Sequence, residues 1–150
     1  MAPLSVLSDC DLVTRLSDLV KTERHATVDV IEHLVEMERR RLYLRCSASS
    51  LHQYCMARLG YDKYAAHKRH RVAKLALRLP QVLAEFRAGT LHLTGLFLLD
   101  KHLTKDNADV LLAEARGKSR RELEQLIASR FPRPDVPAKI ERQTRCSRAT

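Results

Sequence analysis

The sequence predicts an all-α fold of about seven helices: a long N-terminal helix, a helix-turn-helix-like pair, then a compact helical bundle. Three observations point there. Apolar residues recur at three- and four-residue spacing along most of the chain. Only four glycines and five prolines occur in 150 residues, too few to turn a sandwich or barrel of this size. Those few breakers fall between the periodic runs, beside Ser and Asp residues suited to helix caps. At this length, with 45% hydrophobic residues, the chain can bury one core of its own.

Residues 1–7 are expected to be a flexible N-terminus, 8–131 a single helical domain, and 132–150 an extended, basic, disordered tail. Ser8 has the position of an N-cap, and Asp9 and Asp11 suit the positive end of a helix dipole. From there to about Arg45 no Gly or Pro intervenes, and Leu12, Leu16, Leu19, Val20, Val30, Ile31, Leu34 and Met37 keep helical spacing. The polar residues 21–25 interrupt that stripe. An unbroken helix of this length reaches on the order of 50 Å, so it either projects and pairs with a second copy or bends at the polar segment. Its heptads are imperfect, with Glu23 on the seam.

After the small polar break Cys46–Ser50, the run Leu51 to Leu59 predicts a short helix ended by Gly60. Asp62 caps the next, Lys63 to about Leu79, which Pro80 stops. Helices follow over Gln81–Ala88, Thr94–His102, from Thr104 to Arg116, and from a Ser119–Glu122 capping box to Phe131. Pro132, Pro134 and Pro137 give the tail an extended reading.

Charge carries the functional reading. Lys and Arg number 27 against 18 Asp and Glu, a formal net charge of +9, which suits a polyanionic partner such as nucleic acid. Leu51 to Leu79 has the outline of a helix-turn-helix, although Met56 and Ala66 stand where a small and an aliphatic residue are usual. The second helix of that pair places Val72, Ala76, Leu79 and Ala65 on an apolar side, widened by Ala66, Ala73 and Leu77. Its other side carries Lys63, His67, His70, Arg71, Lys74 and Arg78 with Lys68 nearby, and no acid lies between Lys63 and Arg78. Such a strip would neutralise phosphates. Lys118, Arg120 and Arg121 form a second cluster at a helix start. The clustered Arg39–Arg41 are more simply explained by Glu36 and Glu38 on the same helix.

No chemistry-bearing motif accompanies this charge. His67-x-x-His70 lacks a third and fourth zinc ligand, and no HExxH, EF-hand, Walker loop or nucleophile elbow occurs. No catalytic residue, metal or cofactor is therefore expected. The four scattered cysteines form no CxxC pair. The N-terminus lacks a signal-peptide pattern, no apolar run is long enough for a bilayer, and a cytoplasmic protein with no membrane contact is expected.

Several stretches, in order, are similar to a known family. They are Ser50-Leu51-His52-Gln53-Tyr54-Cys55, Leu59-Gly60-Tyr61, Ala65-Ala66, Arg69 to Arg71, Leu79-Pro80 and Gly89 to Thr94. His102-Leu103-Thr104, Gly117 to Glu122 and Phe131 to Pro137 continue the pattern. Together they resemble the helical N-terminal region of bacterial HNH endonucleases of the myxobacterial type, over about residues 8 to 140. In that family a His-rich ββα nuclease domain with one divalent metal follows, but no histidine occurs after His102, so no nuclease residue carries over. The resemblance implies nuclease-associated DNA recognition without cleavage by these residues. The leading expectation is thus a non-catalytic domain that binds double-stranded DNA phosphates through the basic helix face. The alternative is a dimerisation or protein-interaction module, an accessory or remnant of a nuclease, pairing through the long first helix.

Overall fold

Ser8 opens the first helix as expected: its hydroxyl accepts a bond from the Asp11 amide at 3.1 Å, with Asp9 and Asp11 in the first turn. In the computed structural model, which describes residues 3–132, this helix is α1 (Asp9–Arg40). It runs 32 residues, and the polar segment 21–25 does not break it. A single 3-10 turn, Leu4–Val6, precedes it. The helix stops earlier than its periodicity suggests because Arg41 turns left-handed, at φ 52°. A four-residue turn of helix, α2 (Leu42–Arg45), follows, so one expected helix is two.

The caps at the next joins are those the sequence marks. The Ser50 hydroxyl accepts from the Gln53 amide to start α3 (Leu51–Ala57). Gly60 takes φ 73°, and the Asp62 carboxylate accepts from the amides of Tyr64 and Ala65 at 2.9 Å to start α4 (Lys63–Arg78). Pro80 leads into α5 (Gln81–Ala88), and α6 (Leu93–Leu99) follows. Thr104 does not begin the next helix directly. It exchanges bonds with Asn107, whose side chain also donates to the His102 carbonyl, and this closed turn delays α7 (Ala108–Ala115). The Ser119–Glu122 capping box opens α8 (Arg120–Arg130) as expected. Eight α-helices and no strand occur among the described residues. The expected tail beyond Pro132 lies outside them.

The middle of the fold is α4, which packs against α1, α3, α5 and α6, while α8 covers α6. Its buried face is Ala66, Val72, Ala73, Leu75 and Ala76. Three alanines there let neighbouring helices approach closely, and Leu75 takes the place expected for Leu77, which is exposed. Val28, Ile31 and Leu34 of α1 meet this face, with Leu96 and Leu99 of α6, Leu111 of α7 and Leu123 of α8 completing one core. At Gly95 a Cβ would stand 2.9 Å from a methyl of Leu123, so this glycine permits the α6–α8 approach. Gly89 caps α5 at φ 81°, and the Arg24 guanidinium fills the place a side chain there would need.

Only the second half of α1 takes part in this core. Leu12, Val13, Leu16, Leu19 and Val20 are 43–65% exposed, whereas Val28, Ile31 and Leu34 are at most 2% exposed. The first half is an arm that overhangs the body. Ile31→Ala is therefore expected to cost about 2–5 kcal/mol by urea denaturation of dilute protein. Leu19→Ala should cost less than about 0.5 kcal/mol. Equal costs would show the arm packed on the body.

Candidate interaction surfaces

The basic side of α4 is the first candidate. The helix carries no acid, but its neighbours bring two. Asp100, at the end of α6, is the one buried charged residue among those described, its side chain 5% exposed. Arg71 donates to its Oδ2, and Arg78 reaches its Oδ1 at 3.4 Å. The same Arg78 guanidinium donates to the carbonyls of Asp100 and Leu103, an arrangement that suits the negative end of α6. Lys74 stands 4.0 Å from Glu38 of α1. Lys68 donates to the Thr94 hydroxyl at 3.2 Å. The expectation of an unneutralised strip is thereby corrected: the pairing acids come from α1 and the α6 end, invisible along α4 itself. The helix-turn-helix outline is likewise present in α3 and α4, yet α4 is the central helix of the fold instead of a protruding one.

The two histidines of the strip turn toward α3 and α6. His52 of α3 lies 6.0 Å from His67 and 6.1 Å from His70, ring centre to ring centre, and His67 places an edge on Phe97 at 5.4 Å. His70 Nδ1 is buried without a hydrogen-bond partner. Burial, then the nearby charges of Lys74, His52, Arg71 and His67, lower the His70 pKa to about 4. This ring is neutral at pH 7 and contributes no charge to a phosphate. No group of three or more His, Cys, Asp or Glu among the described residues is arranged to hold a metal ion.

Beside the strip, α4, α6 and α8 enclose an open cleft of about 920 Å³, lined in part by Arg71, Phe97, Asp100, Ile127 and Phe131. His102 stacks on Phe131 at 4.6 Å across one wall. The cleft's two carboxylates are both engaged by arginine, Asp100 by Arg71 and Arg78, and Glu124 by Arg120.

Outside α4, six arginines form ion pairs, and the other described lysines and arginines there form none. Arg39 and Arg40 hold Glu36, as the sequence suggests, Arg87 bridges Asp29 and Glu32, and Arg116 grips Glu85. The bond from Arg116 holds the Glu85 carboxyl below its usual range. Of the ten residues expected to meet DNA, Arg71, Lys74, Arg78 and Arg120 pair with carboxylates, and His67 and His70 pack against aromatic rings. Lys63, Lys68, Lys118 and Arg121 make no ion pair with the described residues.

The α1 arm is the second candidate. Leu12, Leu16 and Leu19 form its centre, flanked by Val13 and Val20, and all five face outward. Leu4 and Leu7 extend this apolar surface as one rim of a shallow groove, about 440 Å³, that runs along the arm to Thr22. Leu7 and Leu12 hold the N′ and N4 positions relative to Ser8, the placement of a hydrophobic staple. The exposed patch is contiguous, which distinguishes it from ordinary scattered surface leucines. No helix among the described residues is long and apolar enough to cross a membrane.

The chain matches no protein-family model, no curated protein and no solved structure. The likeness to HNH endonucleases thus rests on the residues quoted for it.

His70 generates a pH prediction. Its folded pKa, about 4, lies below the ordinary 6.5, so the unfolded chain binds the proton more readily. The stability contributed by the neutral ring is full above pH 6.5 and is lost as pH falls toward 4. Urea midpoints measured across that window should decline in the wild type, and His70→Asn should flatten the decline. An unchanged slope would place the titration elsewhere.

Proposed function

We propose that this domain is a non-catalytic self-association module, with the α1 arm as its contact surface and the helical body as the cargo it brings together. The observation that supports this is the overhanging apolar stripe, which the body leaves uncovered along its whole length. Covering five half-exposed aliphatic side chains on each of two copies yields on the order of 10 kcal/mol before association costs. Association consumes about 4–15 kcal/mol of such a gain. At the low end of that cost the surplus is about 6 kcal/mol, which gives a reversible monomer–dimer equilibrium at about tens of micromolar to millimolar protein. Sedimentation equilibrium across that range is expected to show mass rising toward the dimer. Leu16→Glu should hold the protein monomeric with its helical content intact, and Leu16→Met should still dimerise. A wild type that stays monomeric at millimolar concentration would overturn the reading.

Polyanion binding is the second reading, favoured by the net charge of +9 and by the four strip and cluster cations that pair with no described carboxylate. On it, Lys63, Lys68, Lys118 and Arg121 meet phosphates, while Arg71 and Arg78 hold the fold. Changing Lys63 and Arg121 to Glu is then expected to weaken duplex DNA binding and to lower the slope of log affinity against log salt by about 2. Asp100→Asn would release two arginines and strengthen binding. Affinity indifferent to salt in the wild type would exclude this reading.

A further inference from the structure

We infer that the second copy lies antiparallel along the arm, with a two-fold axis at Leu16 and the two bodies at opposite ends of the paired α1 helices; this rests on the self-association proposed above. Two features of α1 carry it.

The first is the side of the helix on which the stripe lies. Val13, Leu16 and Val20 advance by three and four residues, and the same steps lead through Arg24, Thr27, Ile31 and Leu34. Ile31 and Leu34 are buried in the core, on the part of α1 that meets α4 and α5. The exposed stripe and the buried face are therefore one continuous face of one helix. In front of that face, from about Val28 onward, stands the body. A partner helix seated on the stripe has its axis about 8–10 Å from α1, in line with the space the body fills. In a parallel pair both bodies project from the stripe side into that one space and collide. In an antiparallel pair the partner's body stands beyond Asp9, where among the described residues only the Leu4–Val6 turn and its flanking residues lie.

The second feature is the pattern of the stripe itself. It reads almost the same in both directions about Leu16. Val13 and Leu19 lie three residues either side, Leu12 and Val20 four, and Asp9 and Glu23 seven. Reversal lays Leu16 on the partner's Leu16, Leu12 on the partner's Val20 and Val13 on the partner's Leu19. Every apolar residue of the stripe thus meets an apolar residue, and the isologous contact closes at two copies. Asp9 and Glu23 bound the overlap: in register each faces the other's counterpart at the exposed margin, a like-charge contact that weakens the pair, whereas sliding the register would drive a carboxylate into the leucines.

The test is a distance. Arg39 is exposed near the body end of α1. A full-length Arg39→Cys variant, with Cys10, Cys46 and Cys146 changed to Ser and the buried Cys55 kept, takes one spin label per chain. Double electron–electron resonance on samples shown dimeric by sedimentation should give a separation of about 70 Å, from a rise of ~1.5 Å per residue about Leu16. A separation under half that value overturns the antiparallel arrangement while leaving self-association standing. If the labelled variant fails to dimerise, small-angle scattering of the unaltered wild-type dimer decides the question. A rod-like particle with two separated masses supports the arrangement, and a single central mass overturns it. A wild type monomeric at every concentration removes both this inference and the reading beneath it.

Discussion

Everything in the body depends on α4 serving four neighbours at once. A helix in that position must present small or apolar side chains around much of its circumference, and α4 does so with Ala66, Val72, Ala73, Leu75 and Ala76. Its remaining arc is cationic, and a helix enclosed on so many sides cannot leave all of that charge in water. The solution is Asp100. Placed at the end of α6, it accepts from Arg71 and Arg78 together, and Arg78 also satisfies carbonyls at the same helix end. One buried carboxylate thus ties α4 to α6 and satisfies its own hydrogen-bonding needs.

This arrangement changes what the net charge means. An excess of nine positive charges looks like a binding surface when read along the chain. In three dimensions several arginines serve as bridges between helices: Arg71 and Arg78 to α6, Arg87 and Arg116 to α1 and α5, Arg130 to α7. Exposed pairs of this kind contribute little individually. Asp100 is different because it is buried, and loss of its arginines would leave a charge with no solvent to stabilise it.

Local signals were legible and long-range ones were not. Ser8, Ser50, Asp62 and the Ser119–Glu122 box cap the helices they mark, because a cap needs only residues three apart in sequence. Gly60, Gly89 and Gly117 hold left-handed turns for the same local reason. Arg41 takes such a turn without a glycine, so the end of α1 carried no sign. Pairing of Arg39 and Arg40 with Glu36 was readable at helical offsets, whereas pairing of Arg71 with Asp100 spans 29 residues and depends on α6 packing beside α4. His52 joining His67 and His70 is likewise a product of the α3–α4 turn. The apolar residues of the arm were visible as a stripe, but only the fold reveals that the body stops short of them.

That shortfall bears on the arm's own backbone. A helix of some fifteen residues without tertiary contacts is marginal in water, since most helical stability in proteins comes from a packed face. The overhanging half of α1 is held by its Ser8 cap, the Leu4–Leu7 segment beside Leu12, its internal hydrogen bonds and its junction with the anchored half. In dilute solution its amides are expected to open and close as a fraying end does, with exchange faster toward Ser8. On the proposed self-association, docking a neighbour would do two things in one step: hide the leucines and stop the fraying, so that the affinity of the contact would be set as much by the cost of quieting a restless helix as by the area it covers.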